Sequence, residues 1–248
     1  MDSELWISHL AIETWQKPAI WTDYLDSAQR ILDTRLTHLD VVDPVRKKVA
    51  SLADAGNYVC AFKVRENSRW LFGRFGTSGI TFSVHHHLQF GQWPNDLTWH
   101  LPASFASTPE NCERVKALHD LGNRTFLPFY AYCDQASQIA SKKKPSGAID
   151  IRAELLGVFW ITYFNAAYVA FLSKEKINEL PKVEYTESGG VTAILGNSPQ
   201  TLPMYFRERC VAMLGKQTFV CVEDMFAKRP GQVALTFQQL RAFDTKIY

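Results

Sequence analysis

Three consecutive histidines, His85, His86 and His87, stand inside the run TFSVHHHLQF at residues 81–90, and His100 follows shortly after. Imidazoles are common metal ligands. Three of them on a zinc ion, with a fourth position open, make a hydrolytic centre. Convergence depends on the backbone, because side chains on a strand alternate between faces. Phe82, Val84, His86, Leu88 and Phe90 then share a core face, and Thr81, Ser83, His85, His87 and Gln89 the opposite one. The run LTWHLP (97–102) repeats the pattern, with Leu97, Trp99 and Leu101 inward and His100 outward. A hairpin closed by FGQWPND (90–96) that pairs His100 with His85 or His87 brings Cβ atoms within ~5 Å. A metal-dependent hydrolase centred on His85, His87 and His100 is therefore one reading. The other is a solvated strand face, with His86 a core histidine bonded to a backbone group. The sequence favours the second, because the helical H-E-x-x-H and the C-x-x-C of common zinc sites are both absent. No metal and no cofactor is assigned.

Other reactive patterns are thin. There is no G-x-S-x-G elbow, no Walker A loop, and no G-x-G-x-x-G opening a helix. The glycine-rich FGRFGTSG (72–79) lacks the lysine of a phosphate cradle and reads as a turn. Five cysteines, Cys60, Cys112, Cys133, Cys210 and Cys221, are odd in number and widely spread, which fits reduced thiols in the cytoplasm. Nothing among these residues rises to an enzyme signature.

Composition agrees with a binding module. The chain has 248 residues, 46% hydrophobic and 21% charged, enough to bury a sizeable core. A formal charge of +2 is too mild for a nucleic-acid binder or an acidic mimic of nucleic acid. The start, MDSELWISHL, is acidic where a secretory signal is basic. Residues 155–172, LLGVFWITYFNAAYVAFL, are uncharged over the lower limit of a membrane span. Asn165 in the middle and the aromatic and branched flanks favour two buried strands, 157–164 and 167–172, turned at Asn165-Ala166, over a span.

The elements that must position these residues can be sketched. Residues 20–39 read as a helix with a buried stripe of Tyr24, Ala28, Ile31, Leu32 and Leu36, and Thr22 as its N-cap. Residues 43–56 read as a second helix. Strands follow at 58–64, 69–75, 80–90 and 97–102, then a helix from Thr108 to Leu121 stopped by Gly122. SKKKPSG (141–147) is a linker candidate that divides two halves of one domain spanning 1–248. A hairpin at 185–195 turns on Gly189-Gly190, a helix covers 201–214, and 218–225 reads as a strand. The mixture without regular alternation implies an α+β fold, with mostly antiparallel twisted sheet and helices on one face.

The order of SAQRILDTRLTHLDVVDPVRKKVASLADAG (27–56), GITFSV, GVFWITYFNA (157–166), the Leu180-Pro181 pair, ESGGVTAIL and RERCVAMLG (207–215) resembles the immunity protein 52 family of bacterial polymorphic-toxin and type VI secretion systems. The likeness is one of layout over most of the chain. It departs where the family carries a Trp-Asn-Gly turn and this chain runs into His85–His87. The resemblance implies a protein that is not an enzyme but a cytoplasmic immunity protein that neutralises a cognate toxin, typically a nuclease of restriction-endonuclease-like fold. It implies no direct contact with nucleic acid or membrane. Partner-binding candidates are Trp93, His85, His87 and His100 on one hairpin rim, with Glu184 and Glu187 from an acidic set that also holds Asp54, Glu175 and Glu179.

Overall fold

The computed structural model describes residues 4–11, 17–61, 68–87, 94–143, 152, 154–220 and 235–241. In chain order the elements are β1 (Glu4–Ala11), α1 (Pro18–Leu32), β2 (Leu36–Asp40), α2 (Leu52–Ala61), β3 (Ser68–Phe75), β4 (Ile80–His87), β5 (Asn95–Pro102) and α3 (Pro109–Phe126). Then come β6 (Tyr130–Gln135), α4 (Ala136–Ala140), β7 (Ile161–Phe164), α5 (Ala166–Leu172), α6 (Lys174–Ile177), β8 (Val183–Tyr185), β9 (Val191–Ile194), α7 (Met204–Leu214) and α8 (Phe237–Arg241). All nine strands join one antiparallel sheet in the order β2-β3-β4-β5-β1-β6-β7-β9-β8, an α+β fold as the sequence implies.

Each half of the sheet is covered on one face, and the covered face changes between halves. Leu5, Ile7 and Ala11 of β1, with Phe82, Val84, Leu97 and Trp99, pack on Trp21, Leu25, Val59, Val115 and Leu118 of α1, α2 and α3. Trp99 Nε1 donates to the Tyr24 hydroxyl at 2.7 Å inside this core. On β6 the alternate residues Tyr130 and Tyr132 turn to a second core with Phe164, Tyr168, Leu172, Cys210 and Leu240, under α5, α7 and α8. Alternation along β6 thus feeds both cores, and it leaves one face of β3, β4 and β5 outside either.

Several local readings change. α1 ends at Asp33, whose positive φ of 50° and N–H bond to Gln29 close the helix, so Leu36 and Leu39 belong to β2. Lys17 occupies the N-cap, and the Thr22 hydroxyl instead donates to the Pro18 carbonyl. The second helix starts late, at Leu52, where Ser51 and Asp54 cap each other's groups at 2.7 and 3.1 Å. Helix therefore runs to Ala61 where a strand from 58 is expected, because Ala55 and Val59, four apart, pack into the first core beside α1. α3 passes through Gly122 and stops at Leu127, before Pro128. Gly122 serves packing: a Cβ there would lie 2.2 Å from His9 Nε2 on β1. Within 155–172, β7 is a strand but 166–172 is helical, since Asn165 accepts from the Tyr168 N–H as an N-cap. Among the described residues no helix is long and apolar enough to cross a membrane. Of the strand expected at 218–225, Phe219 makes one bridge to Leu155, and 221–225 lie outside the described residues.

Candidate functional site

The face of β3, β4 and β5 turned away from the first core continues onto β1 and β6, where Leu10, Tyr130 and Tyr132 enter the second core, and strand register arranges its side chains in rows. One row runs Trp70, His85, Asp96, Leu10 and Tyr130. The next is Phe72, Ser83, Thr98, Ser8 and Tyr132. A third is Arg74, Thr81, His100, Trp6 and Asp134.

This register corrects the hairpin pairing. His100 lies opposite Thr81, and His85 lies opposite Asp96. The two histidines share a face but sit four residues apart along the strands, ~13 Å at 3.3 Å per residue. Neither His85 nor His87 pairs with His100, so the cross-strand approach expected of a three-imidazole centre does not form. Among the described residues no group of three His, Cys, Asp or Glu is placed to hold a metal ion. His86 is buried on the core side, as its parity requires.

Each row has its own chemistry. In the first, the Trp70 and His85 rings stack at 3.9 Å between centroids and 10° between planes, and Phe72 lies parallel to Trp70 at 5.9 Å. Trp70 keeps 44% of its surface exposed, much for a tryptophan. In the second, Thr98 donates to Asp96 Oδ1 at 2.7 Å, so the 2.8 Å bond between Ser8 and Thr98 has Ser8 as donor. Ser8, Thr98 and Asp96 thus form one directed chain across strands β1 and β5. Burial raises the Asp96 carboxyl to about 6, against the opposing pull of the Thr98 hydroxyl and Lys143. In the third, Glu4 accepts from Trp6 Nε1 at 2.7 Å and approaches His100 Nδ1 at 3.6 Å. Burial lowers the His100 imidazole while Glu4 opposes that.

The end of the third row is structural. Asp134 receives Arg207 through two bonds of 2.6 and 2.7 Å and the Trp160 N–H at 2.9 Å, all buried. Burial raises this carboxyl, and the guanidinium and the backbone N–H groups of Trp160 and Gln135 hold it down. The pair seats α7 on the sheet. Beside α7 a groove of about 580 Å³ is lined by Val158, Phe159, Met204, Tyr205 and Arg209.

The other predicted residues scatter. Trp93 lies outside the described residues, as does the side chain of His87. Glu184 and Glu187 are exposed at the β8 edge, five strands from β5 and so ~24 Å away. Glu184 pairs with Lys182 at 2.7 Å, Glu175 accepts from Ser173, and Asp54 caps α2. These acids form no common patch with the histidines. Trp70 and Asp96 were not singled out from the sequence. Parity in RWLFGRF already sets Trp70 with Phe72 and Arg74 on the outer face, whereas Asp96 was read as a loop residue.

With this geometry in hand, the fold has a solved counterpart. It matches a Pseudomonas aeruginosa type VI secretion system (T6SS) protein, PA0821, with a TM-score of 0.62 over 97% of this chain and 82% of that one. Sequence identity is 12%, so the likeness is one of fold. No protein-family model and no curated protein matches the chain.

Proposed function

We propose that this chain is an immunity protein that binds and neutralises a cognate secreted toxin in the cytoplasm of the bacterium producing it. The toxin is a nuclease effector of restriction-endonuclease-like fold, and this chain inhibits it by occupancy, with no chemistry, metal or cofactor of its own. The observation that carries the reading is the partly exposed face of β3, β4 and β5 turned away from the first core. It presents Trp70, His85 and His100 on a rigid sheet, in a chain that shares its fold with a T6SS protein. Protein–protein sites anchor on aromatic residues held rigid, because these bury large areas at little entropic cost. The near-neutral charge leaves recognition to shape and specific pairs, and the nucleic acid belongs to the toxin.

Affinity capture of the chain from its native lysate, through a high-salt wash, tests this. The expected result is one stoichiometric partner whose nuclease activity falls as the chain is added. A partner whose nuclease activity is unaffected, or none retained, would overturn the reading.

A further inference from the structure

Two unlike features adjoin in the row Trp70, His85 and Asp96. The first is flat and aromatic, the parallel Trp70 and His85 rings with Trp70 open to solvent. The second is a carboxylate one strand further on. Asp96 stays partly exposed, and among the described residues its only hydrogen bond comes from Thr98 to Oδ1. No cation lies within ion-pair distance of it among those residues, for the Lys143 ammonium sits over the Trp6 ring at 4.9 Å. The directed chain from Ser8 through Thr98 spends its hydroxyl protons toward Asp96, so this end of the face offers acceptors. A carboxylate held this way, with Oδ2 unused among the described residues, is completed by a donor group carrying positive charge.

We propose that this notch receives an arginine side chain of the protein partner, its guanidinium lying along the Trp70 and His85 rings and donating to Asp96. The inference rests on reading this face as the partner surface. Arginine fits both features at once: its planar cation stacks on aromatic faces, sheds water more readily than an ammonium, and forks onto a carboxylate. Lysine satisfies the charge but not the plane. An acidic group is repelled by Asp96.

The probe is the capped tripeptide acetyl-Gly-Arg-Gly-amide, titrated into the isotope-labelled full chain and followed by amide and indole NMR shifts. Its lysine and citrulline counterparts serve as controls. The expected result is a saturable millimolar response confined to the Trp70 indole and the amides around Asp96–Thr98. It should be several-fold weaker with lysine and at least tenfold weaker with citrulline, which keeps the plane but not the charge. Asp96→Asn and Trp70→Ala should each remove saturation while the rest of the spectrum stays in place. No saturable response, scattered shifts, an equal response to citrulline, or one undiminished in Asp96→Asn would overturn the proposal. Because the probe needs no toxin, the two readings fail separately. A captured nuclease whose binding ignores Asp96→Asn sinks the notch and leaves the immunity role. Arginine saturation without any toxin partner does the reverse.

Discussion

Replacing Asp96 by asparagine should stabilise the protein at neutral pH and do nothing for it in acid. Burial lifts this carboxyl from 3.8 to about 6. Between those values the native state keeps a proton that the unfolded chain has released. The ionised carboxylate therefore costs stability above pH 6, and the cost fades as pH falls from 6 towards 3.8. A shift of roughly two units corresponds to about 3 kcal/mol at most. Asp96 retains some solvent contact, and screening there trims the cost to about 1–2 kcal/mol. Asparagine is nearly isosteric, its Oδ1 can still accept from Thr98, and it carries no charge. Urea unfolding of both proteins, followed by tryptophan fluorescence at pH 7.5 and pH 4, reads the difference directly. The variant should be more stable by about 1–2 kcal/mol at the higher pH and equal at the lower. Other titrating groups act on both proteins alike and cancel. A variant that is less stable at pH 7.5, or a gain independent of pH, would refute the claim that a buried charge is held on this face against the interest of folding.

The remaining predictions concern the scaffold. His9 and His119 are buried together between β1 and α3, with His9 Nε2 2.9 Å from the His119 carbonyl, and burial lowers the His9 imidazole to about 4. The unfolded chain gains a proton there below 6.5 that the native state refuses, so stability should fall by about 3 kcal/mol between pH 6.5 and 4. His9→Gln should reduce the acid slope without abolishing it in urea titrations at several pH values, because burial also lowers the His119 imidazole well below its ordinary range. Arg207→Met leaves the Asp134 carboxylate buried without its partner and should cost about 3–5 kcal/mol in denaturant midpoint; adding Asp134→Asn should recover part of it. Gly122→Ala drives a methyl onto the His9 ring and should cost about 1–3 kcal/mol, read as a lowered thermal midpoint.

Period-two patterning made β3, β4 and β5 legible, because each has one apolar face, and the same patterning put His85 and His100 on the outer one. Register was not legible. Pairing of Thr81 with His100 follows from how many residues between His85 and Asp96 stay out of the β4–β5 ladder, a number that alternation alone does not give. Residues 58–61 and 166–172 are rich in β-formers yet helical. Caps at Ser51 and Asn165 and packing of Val59 and Tyr168 into the two cores override propensity there. Asp96 is hard to read because it stands beside turn residues, and only the chain from Ser8, brought in by β1, gives it meaning. The acids at 184 and 187 looked like partners of the histidines because sequence distance says nothing of the five strands between β5 and β8.

Growth of a strain lacking this protein beside its toxin-delivering parent tests the immunity role most directly. The account predicts that the deletion strain is killed on contact, that the intact chain restores survival, and that killing ceases when the parent's secretion machine is disabled. Equal survival of the deletion strain beside an armed parent would contradict it.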